Sequence, residues 1–203
     1  MVRYTKYIRV VIGITVLIVG FQTAASSTVG TSQQTQFIAT INDGTCELTY
    51  SSDPTLVFMP RLASEFSPGT TVEVKAIAAN VGCTYAVTPQ VKVEGSTPYA
   101  ANTRIFLDDG GWPGGTNGVG FMVQPAITTE DRDNVPALSN FYSSGMSGKA
   151  IENAETVNLI PLTESSEFNE NQVLWVGLVG MADSSQIIPG SFQATLTITG
   201  IIP

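Results

Sequence analysis

The chain has 203 residues, with 17 acidic and 9 basic side chains, no histidine and a net charge of −8. This charge balance disfavours nucleic acid and anionic membranes as partners, because both attract clustered lysine and arginine. The absence of histidine from the sequence removes Ser-His and Cys-His nucleophile systems and histidine metal sites.

The first 25 residues have the pattern of a cleaved secretory signal. Three basic residues precede an apolar run of 12 residues at 10–21, and small residues then suit cleavage after Ala25. This run is shorter than the ~20 residues that span a bilayer, so we expect no stable membrane anchor; a retained short membrane helix is the alternative. The signal carries three basic and no acidic residues, so its removal leaves 178 residues with a net charge of −11. That length suits one domain.

Cys46 and Cys83 are the two cysteines, and each lies at the edge of a strand-like run. In an exported chain such a pair predicts a structural disulfide. The alternatives are a metal pair or a redox pair. Two cysteines without histidine do not complete a zinc site, and the sequence contains no Cys-x-x-Cys motif.

The rest of the chain predicts short strands separated by turns. The runs lie at 36–41, 46–50, 55–59, 71–79, 85–93, 103–107, 119–123, 157–162 and 173–179, and the last is 191–199. In that last run apolar and polar residues alternate strictly, which puts one face in a core and the other in water. The spacing indicates one all-β domain, a sandwich of immunoglobulin type. A domain that ends in such a strand must hide its free edge or lend it to a partner.

Two segments are less regular. The glycine-rich stretch 110–118 predicts a flexible loop, and 128–154 is a long polar stretch with a possible short helix at 135–142. A loop of this length is more often a surface or recognition feature than core.

Several motifs occur in a fixed order along the chain. They are Phe37-Ile-Ala-Thr-Ile41 followed by Cys46, then Gly82-Cys83, Gly120-Phe-Met-Val-Gln124, Leu159-Ile-Pro-Leu162 and Pro189-Gly-Ser-Phe-Gln-Ala-Thr-Leu-Thr-Ile198. In this order the chain resembles the pilin subunits of chaperone–usher fimbriae of the type 1-like class. The resemblance spans nearly all of the mature chain.

The resemblance implies an incomplete immunoglobulin-like β-sandwich that lacks its final strand and is completed by a donor strand from a neighbouring subunit. It divides the chain into the signal at 1–25, a donor extension at 26–36 and a pilin domain at 37–203. The donor residues facing the neighbour would be Thr28, Gly30, Ser32 and Gln34. The acceptor groove would be formed by Phe37, Ala39 and Ile41 on the first strand and by Phe192, Ala194, Leu196 and Ile198 on the last.

The same resemblance implies the partners and the location. They are a periplasmic chaperone, an outer-membrane usher and neighbouring fimbrial subunits, with export to the periplasm followed by assembly into a cell-surface fimbria. The implied function is polymerisation by donor-strand exchange and, through the fibre, adhesion. No cofactor is expected.

Two other classes of function are compatible with parts of the sequence. A free-standing secreted β-sandwich, such as a carbohydrate-binding module, would use Trp112, Trp175, Tyr99 and Tyr142 as stacking surfaces. An enzyme would need a carboxylate pair, for example to hydrolyse a glycoside. The candidate carboxylates are Asp108, Asp109, Glu130, Asp131, Asp133, Glu164, Glu167 and Glu170. They lie in polar, loop-like stretches where solvated charge is the common explanation, so we expect no enzyme.

Overall fold

A computed structural model describes residues 26–29, 33–39, 45–50, 55–110, 116–142, 149–181 and 187–203. Its strands are β1 (Ser26–Val29), β2 (Gln33–Ala39), β3 (Cys46–Tyr50), β4 (Thr70–Cys83), β5 (Gln90–Gly95), β6 (Val119–Pro125), β7 (Thr156–Asn158), β8 (Asn169–Gly180) and β9 (Leu196–Ile202). Two short helices are α1 (Thr129–Asp133) and α2 (Ser139–Tyr142), and Ala63–Glu65 and Glu164–Ser166 form 3₁₀ turns. Among these residues no helix is both long and apolar enough to cross a membrane. The predicted signal at 1–25 lies outside the described residues.

The strands form two packed sheets, which confirms the predicted all-β sandwich. One sheet has the order β1-β2-β9-β5-β7, and the other has the order β3-β4-β8-β6. Neighbouring strands are antiparallel, except that β2 runs parallel to β9. The core between the sheets takes side chains from both of them, including Val91 and Val93 on β5 and Leu174 and Val176 on β8.

The other face of β8 is covered by the long segment between β6 and β7. Phe141 on α2 is fully buried there, in a cluster with Val173 and Trp175. Its ring lies against Gly177, where an added Cβ would come within 2.5 Å of Phe141 Cδ1. The predicted polar recognition loop is therefore partly a cover for the sheet, and its predicted helix at 135–142 is only the single turn of α2.

The strand prediction at 55–59 is wrong, and the prediction at 191–199 is confirmed only for its second half. Residues 55–62 are extended but belong to no strand, and β9 begins only at Leu196. The reason for the late start is the neighbour: β5 ends at Gly95, which pairs with Leu196. In the described part of the chain, the segment that precedes Leu196 has no strand partner on the side where β5 lies. Three other predictions shrink. The run 85–93 becomes a strand only from Gln90, 103–107 becomes a bridge at Phe106, and 157–162 becomes β7 and a bridge at Leu162.

The two cysteines form the predicted disulfide. Strands β3 and β4 are antiparallel, and their register places Cys46 opposite Cys83. The sulfur atoms are bonded at 2.06 Å across a sequence separation of 37 residues.

Replacing both cysteines by serine is expected to lower the free energy of unfolding by about 3–4 kcal/mol, because the disulfide limits the conformational freedom of the unfolded loop. Urea denaturation of the mature double variant Cys46→Ser/Cys83→Ser measures this loss. The control is the unmodified chain with its thiols reduced, which should match the variant. An unchanged midpoint in both would show that the disulfide does not stabilise the chain.

Truncating the buried ring of α2 is expected to be costly. Phe141→Ala should lower the free energy of unfolding by about 3–5 kcal/mol, since it opens a cavity over Gly177. Leu138→Ala, next to α2 and 47% exposed, is the matched control and should cost about 0.5 kcal/mol or less. Equal costs measured by chemical denaturation would mean that this segment does not cover the sheet.

Candidate functional site

Strand β9 is the element around which the predicted site lies. Its residues from Leu196 to Ile202 pair with β5 on one side, while β2 covers only Thr199–Ile202 on the other. No residue of β2 pairs with 196–198, so in the described structure the predicted free edge is covered at one end and open at the other.

Beyond the start of β9 the open edge continues into a groove. Its volume is about 640 Å³, and it lies between two extended segments, 55–61 and 187–195. We call these segments wall 1 and wall 2. Phe192 and Ala194, two residues of the predicted acceptor groove, line it from wall 2. Leu196 and Ile198 instead belong to the core beneath β9.

Three aromatic rings form the floor of the groove. Phe58 comes from wall 1, Phe192 from wall 2, and Phe121 from β6 lies between them. The ring centroids of Phe58 and Phe121 are 5.1 Å apart, and those of Phe121 and Phe192 are 4.8 Å apart, both in tilted arrangements. Such contacts add to the burial energy of the rings, so the floor ties the two walls together.

The main chain of wall 2 is bonded to Asn117 at its start, where the Ile188 N–H donates to the Asn117 carbonyl at 2.9 Å, and around Gln193 it is bonded on its outer side. The N–H of Gln193 donates to Asp108 Oδ1 at 2.9 Å, and its C=O accepts from the Asp109 N–H at 2.7 Å. In an extended chain the polar groups of successive residues point to opposite sides. Those of Phe192 and Ala194 therefore point towards the groove, and they have no hydrogen-bond partner among the described residues.

Wall 1 ends in a charged turn. Arg61 contacts Glu65 and Glu73, each at 3.2 Å, and the Leu62 N–H donates to Glu65 Oε2 at 2.6 Å. That N–H is the main cause that lowers the pKa of Glu65, with Arg61 adding to the effect. The pKa of Arg61 is raised by its bonds to Glu73 and Glu65.

The outward side of wall 1 is apolar. Val57 is 73% exposed and Met59 60% exposed, while Leu56 and Phe58 pack against the core. Sequence reasoning took this segment for an ordinary strand and missed its role as a wall. The available signal was that all four side chains of Leu56-Val-Phe-Met59 are apolar. A strand with one face in water needs apolar residues only at every second position.

The other predicted site residues are dispersed. Thr28 lies on β1, while Gln34, Phe37 and Ala39 lie together on β2. Gly30, Ser32 and Ile41 fall outside the described residues. The predicted boundary between donor and domain, at 36/37, therefore falls inside one strand.

The residues weighed for other functions have local roles. Trp175 is buried, and its Nε1 donates to the Asp131 carbonyl at 3.0 Å. Arg132 pairs with Asp133 and Glu170. Over the residues that the structure describes, no three acidic or thiol side chains are grouped to hold a metal ion. Trp112 lies outside those residues.

Comparison with known proteins identifies other proteins that have this fold. No family model and no curated protein sequence matches this chain. Among solved structures, a chaperone–usher pilus described for its rod uncoiling is similar with a TM-score of 0.53 and 12% identity, over 81% of this chain and 91% of that one. The P pilus rod subunit PapA is similar with a TM-score of 0.52 and 13% identity, over 78% of this chain and 99% of that one.

The chain has the fold of chaperone–usher pilus subunits. This confirms the resemblance seen in the sequence at the level of fold, the immunoglobulin-like pilin sandwich. Both similar structures belong to pilus structural proteins rather than to enzymes. Identities this low show a shared fold and nothing finer about function.

The pKa of Glu65 provides a test of the turn that ends wall 1. Because its folded-state pKa lies below the ordinary value of about 4.3, its stabilising bond is complete above that value and is lost as the pH falls through the folded-state pKa. Leu62 has φ −76°, which is the value that proline adopts, so Leu62→Pro removes the N–H donor at a compatible backbone angle. This variant should move the pKa towards its ordinary value more than Arg61→Ala does. A carboxyl NMR titration in which Arg61→Ala has the larger effect would contradict this assignment.

Proposed function

We propose that this chain is a structural subunit of a bacterial surface fimbria and that it polymerises by donor-strand exchange. The observation that carries the proposal is the groove between two extended walls, where main-chain groups of Phe192 and Ala194 lack partners among the described residues. A strand inserted there would satisfy these groups and cover the rings of the floor. Main-chain bonds would supply affinity, and the side-chain sockets would select the sequence.

The proposed occupant is the N-terminal segment of a second copy, residues 26–36. In the chain's own fold only Gln36 of this segment pairs with β9, at Thr199, and the strand continues beyond the segment as Phe37–Ala39, so residues 26–35 are not used at that edge. The segment is rich in serine, threonine and glutamine, and the groove offers Asn117, Gln193 and Thr195 beside its apolar floor. In this arrangement Thr28, Gly30, Ser32 and Gln34 face the groove.

Assembly follows from this geometry. Each subunit would give its N-terminal segment to one neighbour and accept a segment from another, and such head-to-tail contacts do not close, so they build a fibre. A periplasmic chaperone would hold the groove before an outer-membrane usher assembles the subunits. The fibre at the cell surface would then support adhesion.

Moving the donor segment within one chain tests the proposal. Residues 26–36 are transferred from the N-terminus to the C-terminus behind a flexible linker of about eight residues, which is long enough to pass the part of β9 that β2 covers. We expect this chain to be a stable monomer in size-exclusion chromatography, with a higher Tm than the mature chain. The unmodified mature chain should form ladders of multimers or be degraded in the periplasm.

Two aspartate variants of the transferred tail serve as matched controls. Thr28→Asp/Ser32→Asp places charge on the proposed groove-facing phase and should abolish the gain in Tm. Val29→Asp/Gln33→Asp adds the same charge on the opposite phase and should keep most of it. If the unmodified chain is already a stable monomer and no tail raises its Tm, the sandwich is complete by itself, and a free-standing binding module becomes the better interpretation.

A further inference from the structure

Wall 1 is held by side chains rather than by a neighbouring strand. The Met59 N–H donates to Glu73 Oε2 at 3.2 Å, and Lys75 Nζ donates to the Val57 carbonyl. Both charged residues lie on β4, in the sheet formed by β3, β4, β8 and β6. By alternation, the polar groups of Leu56 and Phe58 point the other way, towards the groove, and they have no hydrogen-bond partner in the described part of the chain.

The charges on this side balance each other. Glu73 is only 11% exposed, and its carboxylate contacts Arg61 at 3.2 Å and Lys75 at 3.5 Å. A largely buried carboxylate is costly unless it is paired and hydrogen-bonded. Lys75 Nζ also lies 5.5 Å from the centre of the Phe58 ring. The two charged groups therefore fix both the main chain of wall 1 and the ring that this wall contributes to the floor.

Wall 2 is held in the same way. Asp108 is buried and accepts the Gln193 N–H, while the turn at Asp109 donates its N–H to the Gln193 carbonyl. Farther along, the Ser96 N–H donates to the Thr195 carbonyl at 3.1 Å. The side chain of Asp109 is anchored in turn by the hydroxyls of Ser96 and Thr97. A carboxylate and a turn thus occupy the place where β5 would have to continue.

We propose that Glu73, Lys75 and Asp108 are positioning residues that keep both groove walls extended and open before a donor strand arrives. Each bonds the outer main chain of a wall and leaves the inner main chain free for the incoming strand. This inference rests on the proposed function, because it assigns a role at the same groove.

The physical reason is the entropy of ordering. Fixing one residue of an unpaired segment costs about 1–2 kcal/mol, and a binding site that is already ordered avoids that cost at the moment of binding. Without such bonds, an extended segment that has no neighbouring strand on either side would not keep one conformation. Bonds on the outer side order the wall without using the groups that the donor needs.

The test compares matched lysine variants of the mature chain, refolded and kept dilute enough to stay monomeric, so that the groove is open to the added peptide. Lys75→Met keeps the apolar stem but removes the ammonium group. The control is Lys92→Met on β5, because Lys92 is also 32% exposed and also pairs with a glutamate two residues away, but it lacks the bond to the main chain of wall 1 that Lys75 makes at Val57. A fluorescent synthetic peptide of residues 26–36 is the probe. Lys75→Met should weaken peptide binding about tenfold and speed hydrogen exchange in 55–60, whereas Lys92→Met should change neither.

Asp108 is tested by a rescue pair. Asp108→Ala removes the acceptor for the Gln193 N–H and should speed hydrogen exchange in 191–195 and weaken peptide binding about tenfold. Asp108→Asn keeps an oxygen at the same place and should retain most of the affinity. To distinguish a local effect from a loss of stability of the whole fold, exchange in β8 is measured in the same sample and should stay unchanged.

The outcomes separate this inference from the proposed function. If the wild-type chain does not bind the peptide, the proposed function fails, and wall exchange in the variants still reports on the positioning role. If the wild-type chain binds, and Lys75→Met and Asp108→Ala bind as tightly with unchanged wall exchange, the positioning role is wrong and the groove function stands. Faster exchange throughout the protein would also overturn it, because the residues would then support the fold in general.

Discussion

The structure depends on one constraint, which is that main-chain N–H and C=O groups need hydrogen-bond partners. Within the two sheets the ladders meet this need, and β8 is paired along both of its sides. Apart from the bond of Ile188 to the Asn117 carbonyl, the walls of the groove meet it on their outer sides, through side chains and a turn. The inner groups of Phe58 and Phe192 then define a gap with the hydrogen-bonding capacity of a missing strand.

Stability and function are therefore separated in space. The core between the sheets and the cover over β8 use buried apolar side chains such as Phe141 and Val176, which do not depend on the groove. The groove is instead built from extended segments with few ladder bonds, a kind of region that opens at low free-energy cost. The aromatic contacts of Phe121 connect the two parts, since this ring packs on the core and also forms the floor.

Sequence reasoning succeeded where one local pattern sufficed. The pair Cys46 and Cys83 and the strands β3, β4, β6 and β8 were found at or near their positions, because short apolar or alternating runs are strong signals. It failed at wall 1 and at the start of β9. An extended wall and a paired strand share the same alternation of side chains, and only the position of a partner distinguishes them.

The sequence by itself determined the all-β class, the disulfide and the alternation of apolar and polar residues along the last strand, since these follow from residue type and period. Only the tertiary structure decided that 55–61 and 187–195 face each other across a groove, and that Glu73, Lys75 and Asp108 hold them there. The physical reason is that hydrogen bonds between these elements join residues far apart in the chain. Their partners are chosen by how the sheets pack, and a local pattern does not record that packing.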